Sequence, residues 1–217
     1  MLLNPSLFTA YLAVATLLAL SPGPDTLFVL ASSTSGGPRN GVAATLGISS
    51  ASVGHASAAA LGISAVIAAS PVAFEALRIG GALYLAWMGV QAIWRLWRGW
   101  RDKDANIAAS ARVPAAVAFR RGFVTNALNP KVIIFYIALL PQFVDVSLGH
   151  VPAQIFALGL VHNAIGTCCL IGLAVVSGRA TQALARNARV LAWLNGTAGA
   201  IYLILAARII LLERRAA

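Results

Sequence analysis

Charge is what this 217-residue sequence has least of: Asp, Glu, Lys and Arg make up 10% of it, against about 25% in a soluble domain. The runs 40–74, 146–178 and 190–207 hold none of the four, and a spanning helix needs about 20 such residues. With a mean hydropathy of +0.83, the composition excludes an ordinary soluble domain and predicts an integral membrane protein. Cysteine is scarce too. Cys168 and Cys169 are adjacent, and neighbours seldom form an unstrained disulfide; with no C-x-x-C they read as packing residues. Enzyme signatures are missing: there is no H-E-x-x-H, G-x-S-x-G or P-loop pattern, which weighs against an intramembrane enzyme. Residues 1–6 contain no Lys or Arg, so the basic start of a secretory signal is lacking and the first span is expected to be retained.

What is present is a succession of apolar segments. Six spans are expected near 7–31, 42–68, 78–97, 122–144, 152–177 and 190–212, and the longest connector runs over 98–121. Net charge is +10, but its placement argues against nucleic acid as a partner. Arg39 follows span 1, Arg95 to Arg121 cluster after span 3, and Arg179, Arg186 and Arg189 follow span 5. The connector 141–152 has no Lys or Arg, and the one after span 2 has only Arg78. Basic loops stay cytoplasmic, which puts both termini on the periplasmic side; Arg208, Arg214 and Arg215 stand against that topology. Trp94, Trp97 and Trp100 sit where span 3 meets the basic loop, as an aromatic belt would.

Ser21-Pro22-Gly23-Pro24-Asp25 interrupts the first apolar run, and Asn129-Pro130-Lys131 interrupts the fourth. Proline lacks an amide N–H and clashes with the preceding turn, so neither run continues as an unbroken helix. The two breaks belong to a longer correspondence. Ala19-Leu20-Ser21-Pro22 matches Ala127-Leu128-Asn129-Pro130, and Leu46-Gly47-Ile48 matches Leu158-Gly159-Leu160. Leu61-Gly62-Ile63 and Gly81-Ala82-Leu83-Tyr84-Leu85 find partners at 171–173 and 199–203. Three spans per copy force the second copy to enter from the opposite side. The expected fold is therefore all-α, with six transmembrane helices as two inverted three-helix repeats and broken helices 1 and 4. Residues 1–97 form the first repeat, 98–121 a basic cytoplasmic linker and 122–217 the second repeat.

A bland account exists for the breaks. Ser21 could cap a helix starting at Pro22 with Asp25 favouring its dipole, and Asn129-Pro130 fits the same pattern. That explains residue types but not depth. Pro22 and Pro130 fall near the midplane, and an ionised Asp25 or Lys131 there costs roughly 2.5–3.5 kcal/mol on insertion scales. A half-helix N-terminus suits a carboxylate, and Asp25 offers the opposite charge for an ammonium. Lys131 could serve as its partner or as a second anion contact. Both signs together fit a zwitterion, and transporters bind solutes at such broken helices.

The substrate-binding candidates are Ser21, Pro22, Gly23, Pro24, Asp25, Asn126, Asn129, Pro130 and Lys131. A titratable Asp25, relayed through His55, could couple export to proton entry. His55 reads equally as a residue hydrogen-bonded to a neighbouring helix, and His162 with Asn163 carries the same two readings. In span 2 the stripe Ser50, Gly54, Ala58 and Gly62 is expected to let helix backbones pack closely. A metal-ion exporter is the alternative, but Asp25 is the only carboxylate in an expected span and Cys and His show no ligand spacing. No metal and no cofactor are expected.

Along almost its whole length the chain resembles the lysine exporter family and its threonine–homoserine efflux branch. The residues that carry the resemblance are Ser21-Pro22-Gly23-Pro24-Asp25, Arg121-Gly122-Phe123 leading into Asn126-Ala127-Leu128-Asn129-Pro130-Lys131, and Leu139-Leu140-Pro141-Gln142-Phe143. The resemblance implies a bacterial inner-membrane exporter of amino acids or close derivatives, driven by proton antiport, with functional weight on both breaks. Its partners would be the small-molecule substrate and the bilayer, with a homo-oligomer open. Ser52 departs from the family, whose members often carry an acidic residue there.

Overall fold

The computed structural model describes residues 2–97 and 113–176, together with 196–197, 199–200, 203–204 and 206–207. Helix α1 spans Pro5–Leu20 and α2 Pro24–Gly36; α3 covers Pro38–Ala69 and α4 Pro71–Trp97. Further along come α5, Ala115–Ala127, which takes up the last residues of the expected linker, the short α6, Pro130–Ile134, and α7, Val151–Val175. Between α6 and α7 the chain tightens through a π turn at Phe135–Leu139 and a 3-10 turn at Leu140–Phe143. Among the described residues there is no strand.

By length and composition α3 and α7 can each cross a membrane. The pair α1 and α2, bent by 49°, and the pair Ala115–Ala127 with Pro130–Phe143, bent by 50°, qualify if each is one broken span. Among the described residues there are thus two to four candidate spans, with the two breaks where the prolines place them. The two interrupted pairs are bent alike. The third expected span corresponds to α4. The sixth, 190–212, lies mostly outside the described residues, as do Trp100 and most of the basic linker.

Prolines and their caps set the helix starts. Asn4 caps α1, its side-chain oxygen accepting from the amides of Ser6 at 3.1 Å and Leu7 at 3.5 Å, with Pro5 as first helical residue. Asn129 repeats the device before Pro130, accepting from the Lys131 amide at 3.1 Å. The first break departs from the expected cap. Ser21 is the C-cap of α1, and the chain restarts only at Pro24, with Gly23 as an N-cap that supplies no side-chain hydrogen bond. Two prolines in three residues leave the restarting helix nothing to cap with.

Helix α3 is the organising element, packed chiefly against α5 and α7. Its contact face is not the anticipated stripe: Ser50, Gly54, Ala58 and Gly62 are all exposed, and a Cβ added to Gly54 or Gly62 would meet nothing within 4 Å. The close approaches lie on the other face. A Cβ on Gly47 would stand 2.0 Å from the Phe119 carbonyl oxygen, and one on Gly122 2.2 Å from that of Ala44. Gly159 of α7 meets Ala56 in the same way, at 2.7 Å. Small residues occur on every side of α3, and the partner's own glycines decide which side is used. Cys168 is exposed, so it is not an internal packing residue.

Two apolar clusters result. One gathers Tyr11, Phe135, Leu139, Leu140, Phe143, Ile155 and Leu158 with the Ala56–Ile63 face of α3. The other joins Val29, Ala44, Ile48, Ala118, Leu170 and Ala174. At one end of the bundle the chain start is tied to the connector before α7: Asn4 Nδ2 donates to Asp145 Oδ2 at 2.8 Å. The buried Gln154 holds that connector, accepting from the Asp145 amide and donating to the carbonyls of Asp145 and Gly149.

Candidate functional site

Between the two clusters lies a cavity of about 70 Å3, whose walls come from both breaks and from α3 and α7. From the first break it takes Ser21, Gly23 and Asp25, and from the second Asn126, Asn129 and Lys131. The structure therefore brings together six of the nine residues expected from the sequence. Pro22, Pro24 and Pro130 do not line the space; they make the interruptions that open it. Leu18, Ile48, Val132, Phe135 and Leu170 supply apolar wall.

Asp25 sits in the first turn of α2, where the helix dipole favours a carboxylate. Its Oδ2 accepts from Asn126 Nδ2 at 2.8 Å, a bond that joins the first broken helix to the second. Its Oδ1 is buried and has no partner. Asn126 is itself buried, and because its amide nitrogen faces the carboxylate, its Oδ1 is the atom left over; it too is unpartnered.

Lys131 does not bond to Asp25. Its Nζ reaches back across the first break and donates to the carbonyl of Ser21 at 2.8 Å and of Leu18 at 3.2 Å. Those oxygens belong to the last turn of α1, where the helix has no amide left to satisfy them and a cation is favoured. The side chain passes over Gly23, its Nζ 3.7 Å from where a Cβ would lie. Lys131 is thus a cap supplied from the opposite break. Lys131→Met should cost about 1–3 kcal/mol, since it strips two buried acceptors of their donor, whereas Lys131→Arg should recover part of it. Thermal unfolding in detergent reads this; a Met variant that melts with the wild type would refute the cap.

His55, the proton-coupling candidate beside Asp25, does not line the cavity. Its Nε2 donates to the Asn126 carbonyl at 3.3 Å, and its ring stacks on Tyr136 with centroids 5.8 Å apart. Tyr136 in turn donates to the Gly159 carbonyl at 3.3 Å and exchanges a 2.9 Å hydrogen bond with Ser52. Asp25 and His55 are therefore linked only through Asn126. The wall that sequence reasoning left out of the candidate set is α7, which contributes His162, Asn163 and Thr167. Asn163 donates to Ser49 at 3.0 Å. The readable signal was polar residues inside the uncharged run 146–178. Among the described residues no three His, Cys, Asp or Glu side chains group to hold a metal.

The sequence matches the family described as LysE type translocator over residues 16–213. The chain belongs to that family. It is a transporter and not an enzyme. The leucine efflux protein of Klebsiella pneumoniae is 30% identical over 207 residues, covering 95% of each chain. That of Salmonella typhimurium is 28% identical over 206 residues, again 95% of each. A membrane protein of Vibrio cholerae without assigned function shares 29% over 196 residues, 89% of this chain and 91% of its own. No solved structure matches the chain.

Proposed function

We propose that this translocator exports amino acids or close derivatives across the bacterial inner membrane by proton antiport, with the cavity between the two breaks as its binding site. The observation that carries the reading is the convergence of the breaks. Residues more than a hundred positions apart, each beside a proline, meet around one space that has an ionisable group of either sign. The substrate ammonium is taken by Asp25 and Asn126, whose free oxygens accept. Its carboxylate faces the start of α2, where the backbone amides lack a capping side chain. The relatives named as leucine efflux proteins support an amino-acid substrate.

Proton coupling follows from competition at Asp25: a proton arriving from the periplasm neutralises the carboxylate, and cytoplasmic substrate displaces it. His55, bonded to the Asn126 carbonyl, stands behind this exchange rather than in it. Residues of both breaks share one cavity of about 70 Å3. That fits two inverted repeats, 1–97 and 122–217, rocking about the shared site. The Asn4–Asp145 bond supports this topology, because it places the chain start and the connector after the fourth span at one end.

Proteoliposomes holding the purified protein test the reading. Labelled leucine, alanine, methionine, threonine and lysine should be moved selectively, and an imposed pH gradient should accelerate at least one of them. Movement of divalent cations with none of the amino acids would replace this reading with the metal-ion one.

A further inference from the structure

Buried polar atoms almost always have partners, and one left without costs about 1–3 kcal/mol. Among the described residues four buried side-chain atoms have none: Asp25 Oδ1, Asn126 Oδ1, His162 Nδ1 and Ser64 Oγ. Three of these four belong to residues that line the same cavity. They come from three different elements, α2, α5 and α7, so no local feature of a single helix accounts for them together.

All three can accept. Asp25 Oδ1 is a carboxylate oxygen, and Asn126 Oδ1 is fixed as the acceptor end of its amide by the bond from Nδ2 to Asp25. His162 packs its ring against Phe135, with centroids 4.0 Å apart, and the edge of Tyr136 lies 6.3 Å away. Nδ1 has no hydrogen-bond partner, and in the tautomer protonated on Nε2 it carries a free lone pair. The nearby cation cannot serve all three, because Lys131 has committed its Nζ to the carbonyls of Leu18 and Ser21.

We infer that Asp25 Oδ1, Asn126 Oδ1 and His162 Nδ1 together form a receptor for a primary ammonium group, so that the exporter selects substrates with three N–H donors and discriminates against N-methylated amines. The match is one of number and charge: an ammonium has three donors and no acceptor, and the receptor has three acceptors and a single formal negative charge. Each methyl group on nitrogen removes a donor and leaves one buried acceptor unpaired. This inference rests on the amino-acid reading above and adds to it His162, to which nothing in the two breaks points.

The test uses the full-length protein in vesicles and competition against labelled L-leucine by leucine, N-methyl-leucine and N,N-dimethyl-leucine. If another member of the panel is the one exported, the same series is built on it. Affinity should fall about tenfold or more with each lost donor. His162→Leu should weaken leucine binding about tenfold and flatten the first step of the series, because one acceptor is gone. His162→Gln, which retains an acceptor, should restore the step. Equal binding of leucine and its dimethyl form overturns the inference while leaving amino-acid export intact. So does a His162→Leu variant that weakens all three equally, since a purely structural role would do that. Sodium alone protecting the site, with no amine required, also overturns it. Failure of every amino acid in the panel sinks the proposed function itself.

Discussion

Asp25→Asn should reduce export by at least about a hundredfold while the protein still inserts at wild-type abundance. The substitution is nearly isosteric, so packing survives. The new amide would keep its oxygen toward Asn126 Nδ2, the donor now 2.8 Å from Asp25 Oδ2. Its NH2 then takes the place of the free Oδ1, setting a donor where the site needs an acceptor. The negative charge that holds an ammonium is lost in the same step, and with it the group that a coupling proton would neutralise. Asp25→Glu keeps the charge on a longer arm and should retain part of the activity. Efflux from preloaded vesicles, normalised to protein in the membrane, gives the answer. Wild-type export by the Asn variant would remove Asp25 from the site.

Gly47→Ala should destabilise the protein by about 3 kcal/mol or more, whereas Gly54→Ala, seven residues along the same helix, should be neutral or slightly stabilising. The added carbon at position 47 would lie 2.0 Å from a backbone oxygen of α5, and neither backbone can yield without separating the helices. Because α5 carries Asn126 and α3 carries His55 and Ser52, forcing them apart also opens the site. At position 54 nothing stands within 4 Å, and alanine is the better helix former. Expression and melting temperature of the two variants measure the contrast. Equal behaviour would mean that α3 and α5 do not cross at Gly47.

The contrast between these glycines shows what the sequence disclosed. The breaks were legible because proline and glycine act on their own backbone, whatever surrounds them. Asp25 stood out because no other carboxylate lies in an expected span. The face of α3 was not legible: its small residues populate every side, and the choice was made by Gly122 and Gly159, which lie on other helices. The partner of Lys131 was hidden for a related reason. A lysine beside an aspartate suggests an ion pair, but backbone carbonyls at a helix end leave no mark in the residue string. His162 was visible only as a polar ring with two readings, and the structure places it at the cavity with Nδ1 unmatched.

The cap on α1 comes from a lysine 110 positions downstream of Ser21. As the polypeptide leaves the ribosome, the first interrupted helix must enter the bilayer with its carbonyl end still open, and it stays so until the second one follows. Assembly of this centre is therefore a late event in biogenesis, and a nascent chain halted in the basic linker would present an unfinished helix end to the insertion machinery.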